Sequence, residues 1–155
     1  MGQHRVKPRV ELVEWAEMQS PIRTIREAVF ITEQGVPEAL EWDGLDPLCS
    51  HALAWNSVGE PIGTARMRAD GVIGRMAVLR NWRGRGIGRS LLEILLHLAV
   101  KQGLQQVTLA AQIHAVGFYE RAGFHAIGAP FMDAGIPHRM MIRDLPAPPA
   151  GSERQ

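Results

Sequence analysis

Between Arg80 and Arg89 the chain reads RNWRGRGIGR, four arginines and three glycines in ten residues, with a leucine-rich stretch directly behind. Glycine lets a ligand approach the backbone closely and tolerates left-handed conformations. A helix that starts just after such a run presents unbonded N–H groups and about half a positive charge at its N-terminus. Guanidinium groups add forked donors that match phosphate oxygens. Arg83, Gly84, Arg85, Gly86, Ile87, Gly88 and Arg89 therefore read as a cradle for a phosphate-type anion. Two standard nucleotide motifs do not fit. A P-loop needs a lysine followed by serine or threonine after its last glycine, and the dinucleotide fingerprint needs a third glycine where Arg89 stands.

A second set of side chains could move protons. Tyr119 is the only tyrosine in the chain, and Glu33, His51 and His138 are candidate proton acceptors. A third feature is charge asymmetry. From Glu27 to Glu60 there is no lysine or arginine, yet Glu33, Glu38, Glu41, Asp43 and Asp46 fall inside. From Arg75 to Arg89 there are five arginines and no acid. One segment suits an anionic ligand and the other a cationic one, with Glu41, Asp43, His51 and His138 as candidate contacts to the latter.

The elements that must position these residues follow from periodicity. Strands are expected at RVELVEW, HALAWNS, PIGTARMRA, VIGRMAVLR, QQVTLAAQ and RMMIRDL. A first helix is expected after Ser20 as N-cap and Pro21 at its first position, with Ile22, Ile25, Val29 and Phe30 on its apolar stripe. The segment from Gly35 to Pro47 reads as an ordered loop. A long helix follows the glycines, burying Ile87, Leu91, Leu92, Ile94, Leu95, Leu98 and Ala99, and Gly103 ends it. AVGFYERAG is a short helix closed by Gly123. Strands first, then strand–helix–strand–helix–strand, argue a mixed α+β sheet. Residues 1–145 are expected to form one domain, and the Pro-rich segment 146–155 to fray.

Composition excludes several classes. Net charge is +1 in 155 residues, so a dedicated nucleic-acid binder is not expected. The single cysteine, Cys49, cannot form an internal disulfide. The N-terminus lacks an apolar h-region, and no run of about 18 apolar residues occurs, which fits a cytoplasmic protein without membrane spans.

The pattern Arg83-x-x-Gly86-x-Gly88, after a strand and opening a helix, resembles the acetyl-coenzyme A motif of the GNAT acetyltransferase superfamily. AVGFYERAGF, Ala115 to Phe124, is similar to that family's second motif and lies at the matching distance downstream. IREAVFITEQGVPEALEWDGLDPLCSHALAW and GIPHRMM resemble the ElaA-like branch of bacterial GNAT proteins. The resemblance implies a GNAT-type, mostly antiparallel sheet with splayed strands at the cofactor site. It implies acetyl-coenzyme A as donor, an amine as acceptor, and a homodimer. It places Met76, Ala77 and Val78 along the pantetheine arm, Gln112 and Phe118 at the cofactor, and Tyr119 as general acid. Asparagine often stands where this chain has Gln112. Glu33 is the expected general base.

Overall fold

The structure is a computed structural model, and residues 8–148 are described. The expected fraying segment lies mostly outside them, since residues 149–155 are not described. No helix among the described residues is long and apolar enough to cross a membrane.

Seven strands form one sheet: β1 (Arg9–Val13), β2 (Ser50–Trp55), β3 (Pro61–Met67), β4 (Val72–Val78), β5 (Gln106–Gln112), β6 (His125–Asp133) and β7 (Ile136–Asp144). Their spatial order is β1-β2-β3-β4-β5-β7-β6. Neighbours run antiparallel except β4 and β5. The hairpin turns are local in origin. Asn56 Oδ1 accepts the N–H groups of Val58 and Glu60, and the N–H of Gly71 bonds to the Arg68 carbonyl.

Helices α1 (Trp15–Arg26) and α3 (Ile87–Lys101) cover opposite faces, with α2 (Glu38–Glu41) and α4 (Val116–Arg121) as short pieces. On one face Ile87, Leu91, Leu92, Leu95 and Ala99 of α3 pack on Ala52, Ala54, Ile62, Ala65 and Leu109. On the other, Ile22, Ile25 and Val29 meet Leu53, Trp55 and Ala77. Gly63 lets α3 come this close, since a Cβ there would sit 3.1 Å from Ile87 Cγ2.

Three expectations need correction. Helix α1 begins at Trp15, not after Ser20, and Ser20 makes no capping bond; the chain instead kinks at Met18, three residues before Pro21. The helix also does not stop or continue regularly after Arg26. Glu27–Glu33 is a π-helical turn, in which the Gln34 N–H reaches the Val29 carbonyl. Finally, β6 is an additional strand. Gly128 (φ 73°) and Pro130 interrupt its pattern, and the ladder to β7 slips between Ile127 and Phe131. Glycine and proline inside a run argue against a strand unless it lies at an edge, where β6 sits.

Candidate functional site

Only two residue pairs hold β4 to β5, Val72 with Thr108 and Ile73 with Leu109. Beyond them β4 runs on to Val78 and β5 to Gln112, and the strands part. Arg75 marks the point of divergence. The β3–β4 ladder skips one β4 residue there, and Arg75 has φ 50°. A bulge of this kind bends a strand and re-aims its groups. The opening is the floor of a cleft of about 1230 Å³, lined by β4, β5, the turn before α3, the end of the π-helical turn, and the β6–β7 hairpin.

At one end stands the glycine turn. Gly84 and Gly86 adopt φ of 75° and 81°, and Gly86 caps α3. A Cβ at either would meet nothing, so the requirement there is conformational and not spatial. Among the described residues, no acceptor meets the backbone N–H groups of Gly84 through Arg89. They converge at the positive end of a 15-residue helix. The arginines divide. Arg83 directs Nε to the Val78 carbonyl at 2.8 Å and both terminal nitrogens to Glu33 at 2.6 and 2.7 Å. Arg85 stacks over Trp82 at 4.7 Å and does not line the cleft. Arg80 and Arg89 do line it. At this end of the cleft Arg80 and Arg89 have looser partners, Glu33 at 3.5 Å and Glu93 at 3.9 Å, whereas the guanidiniums of Arg83 and Arg85 are engaged by Glu33 and Trp82.

Midway along the cleft lie Met76, Ala77 and Val78 on one side and Gln112, Phe118 and Tyr119 on the other. Tyr119 Oη is 3.7 Å from Met76 Sδ, and its ring meets Phe118 and Phe124 edge to face. Burial pushes its phenol up to about 12. Gln112 Nε2 donates to Gln34 Oε1 at 2.9 Å, tying β5 to the end of the π-helical turn.

Glu33 does not suit the role of base. Its two oxygens grip Arg83, and this pairing holds the carboxyl below its usual range. A carboxylate so stabilised is a weaker proton acceptor. His51 is also misplaced for acceptor chemistry. It is 1% exposed, stacks on Trp15 at 5.1 Å, and bonds through Nε2 to the Asp46 carbonyl. It lines a separate cleft beside the edge strand β1, and burial lowers its pKa.

The acidic segment is not free either. Glu41 is 3% exposed and bonds to Arg26 Nε at 2.7 Å, with Arg75 at 3.3 Å. Asp46 accepts from Arg26 at 2.6 Å and Arg66 at 2.9 Å, and Asp43 pairs with Arg66 and Arg75. The Arg66 bond holds Asp43 well below the carboxylate range. Burial alone would raise Asp46, but Arg26 and Arg66 outweigh it. For Glu41, burial prevails and the carboxyl is raised. Sequence distance hid the counter-charges, which come from α1, β3 and β4. Glu41 and Asp43 do line the cleft, but as an ion-paired wall. His138 lines it too, 8% exposed, with its ring 5.9 Å from Phe131.

Arg75, Arg80 and Gln34 belong to the site and were not singled out by sequence. A positive φ on arginine has no compositional signal, and Gln34 lines the cleft at the end of a π turn that the apolar spacing did not announce.

The family model for an acetyltransferase (GNAT) domain matches residues 21–145. The chain belongs to the GNAT family. The uncharacterised N-acetyltransferase YjcF of Bacillus subtilis is 35% identical over 124 residues, 77% of this chain and 88% of that protein. Protein ElaA of Escherichia coli is 32% identical over 129 residues, 78% of this chain and 84% of its own length. The ElaA crystal structure superposes with a TM-score of 0.78 over 88% of this chain and 99% of that one. An acyl-CoA N-acyltransferase structure from Pseudomonas aeruginosa, 31% identical, gives the same score over 88% and 99%. The GNAT sheet with its ElaA-like relatives is therefore the frame in which the cleft sits.

Proposed function

We propose that this GNAT protein transfers an acetyl group from acetyl-coenzyme A to a primary amine by direct attack on the thioester. The observation that carries the reading is the short β4–β5 ladder. It opens into a cleft that ends at a row of unpartnered N–H groups. A pyrophosphate suits that end, where Gly84, Gly86, Ile87, Gly88 and Arg89 offer N–H groups and Arg80 and Arg89 offer charge. The pantetheine amides suit the backbone of Met76, Ala77 and Val78, where β4 has left β5.

The nucleophile is the nitrogen lone pair, so an alkyl ammonium with an ordinary pKa of about 10.4 must first lose a proton. Its attack forms the C–N bond and puts negative charge on the carbonyl oxygen. A backbone N–H aimed at that oxygen in a dry site contributes about 3 kcal/mol. Collapse breaks the C–S bond. Tyr119, protonated throughout the neutral range, is the donor to the departing sulfur. Handing its proton fully to a thiolate of pKa about 8.5 is uphill, so its hydrogen bond acts as the C–S bond breaks. Two protons leave the nitrogen in all. One goes to water, and the other ends on the sulfur as the free thiol forms, while Tyr119 keeps its own.

The test is free-thiol release from acetyl-coenzyme A across a panel of primary amines. Amine-dependent release with one acetylamide formed per thiol supports the reading. Tight acetyl-coenzyme A binding without release would reduce the chain to a non-catalytic acyl-CoA-binding protein.

A further inference from the structure

We propose that His138 is the general base of this reaction, taking a proton from the acceptor ammonium through Nε2. The inference rests on the acetyl-transfer reading above and goes beyond it by naming the residue that readies the nucleophile. Of the three candidate bases, Glu33 is held by Arg83 and His51 lines the separate cleft beside β1. His138 is the one that both lines the cleft and keeps a ring nitrogen unengaged.

The hydrogen bonding fixes which nitrogen is which. His138 Nδ1 lies 2.7 Å from the Ile136 carbonyl oxygen. A carbonyl only accepts, so Nδ1 carries the hydrogen and the neutral ring keeps its lone pair on Nε2. Nε2 has no partner among the described residues, and it is not one of the buried polar atoms sealed from solvent. The ring stacks on Phe131, so its orientation is held from the side as well as from below. A lone pair fixed in this way needs no reorganisation to accept a proton.

Register puts the ring at the right height. Continuing the β4–β5 pairing past the extra residue Arg75 brings Ala77 level with Gln112, whose partner on β7 is His138. Ala77 and His138 thus stand at one level along the sheet, on opposite sides of the gap where β4 and β5 part. Tyr119 Oη contacts Met76, next to Ala77. Base and acid then serve the two ends of one reaction. The ammonium N–H bond breaks toward His138 Nε2, the freed lone pair forms the C–N bond, and the C–S bond breaks toward sulfur hydrogen-bonded by Tyr119. The imidazolium releases its proton to water, and the second N–H proton, made acidic once the C–N bond has formed, passes to the departing sulfur. Besides Tyr119 and the arginines, the titratable groups that line the cleft with His138 are Asp133 and His114, and Glu33, Glu41 and Asp43, each of these three paired with an arginine.

The experiment compares the native protein with His138→Gln and His138→Ala, using amines graded in basicity: trifluoroethylamine, glycinamide, ethanolamine and the lysine side chain. Acetyl-coenzyme A affinity, read by calorimetry, reports folding and stays unchanged. With the basic amines kcat falls about 10²–10⁴-fold in both variants. With trifluoroethylamine, already neutral at neutral pH, the loss shrinks to less than tenfold, and added imidazole restores rate to His138→Ala. A full rate in the variants, or a loss equal for all amines without imidazole rescue, overturns the assignment while leaving acetyl transfer intact. If the native protein releases no thiol with any of these amines while binding acetyl-coenzyme A, the acetyl-transfer reading fails and the assignment with it.

Discussion

Asp46→Asn tests whether the carboxylates of the acidic segment are structural. Three guanidiniums (Arg26, Arg66, Arg75) face three carboxylates (Glu41, Asp43, Asp46) in one network. Asparagine keeps the shape of Asp46 but removes its charge, leaving an excess of one positive charge around Arg26, which is 1% exposed. The lost interactions are two charge-assisted hydrogen bonds, from Arg26 at 2.6 Å and Arg66 at 2.9 Å. Bonds to charged groups contribute about 1.5–3 kcal/mol each, which brackets the loss at about 3–6 kcal/mol. Breaking a buried ion pair costs a comparable amount, about 3–5 kcal/mol. The asparagine oxygen still accepts, so the low end, about 3 kcal/mol, is expected. At about 2–4 °C per kcal/mol for a chain of this size, Tm should fall by roughly 6–12 °C in a circular-dichroism melt. The same network sets the acid limb. Asp43 and Asp46 have lowered pKa values when folded, so their contribution is present above the ordinary carboxylate pKa and lost as pH falls through the folded values. Glu41, raised by burial, works the other way: its contribution is present at low pH and lost as pH rises through its folded value. Removing Asp46 should therefore flatten the loss of stability as pH falls below the ordinary carboxylate pKa of about 3.9. A Tm within about 2 °C of native at neutral pH, with an unchanged acid limb, would show that the network contributes nothing and refute the reasoning.

Two further substitutions separate roles within the cleft. Tyr119→Phe should lower kcat about 10²–10⁴-fold with little change in acetyl-coenzyme A affinity; a full-rate variant would reduce Tyr119 to packing against Phe118 and Phe124. Glu33→Gln removes a negative charge beside the glycine turn and frees Arg83, so acetyl-coenzyme A should bind no more weakly while kcat stays within about tenfold of native, since losing a true base costs about 10²-fold or more.

Much of this was legible in the residues. The glycine turn, α3 and its buried face, and the short helix carrying Tyr119 all follow from spacing, because each depends on neighbours within a turn or two. What sequence could not show was pairing across the fold. The run from Glu27 to Glu60 has no lysine or arginine, yet Glu41, Asp43 and Asp46 are matched by Arg26, Arg66 and Arg75, which lie 15 to 34 residues away in the contacts they make. Glu33 read as a free acid because Arg83, 50 residues on, meets it only when β4 turns into α3. The π turn, the positive φ of Arg75 and the broken edge strand β6 each violate a local rule, and only tertiary packing makes them stable. His138 stood among three candidates in the sequence, and topology separated it from the other two.

The most direct measurement is a calorimetric titration of acetyl-coenzyme A into the native protein and into Gly86→Asp. Gly86 has φ 81° and opens α3 beside the unpartnered N–H groups, so aspartate there sets a carboxylate against the pyrophosphate. Binding of one acetyl-coenzyme A per chain, lost in a folded Gly86→Asp variant, is the predicted result. Equal affinity in the folded variant, or no binding to the native protein, would contradict the account.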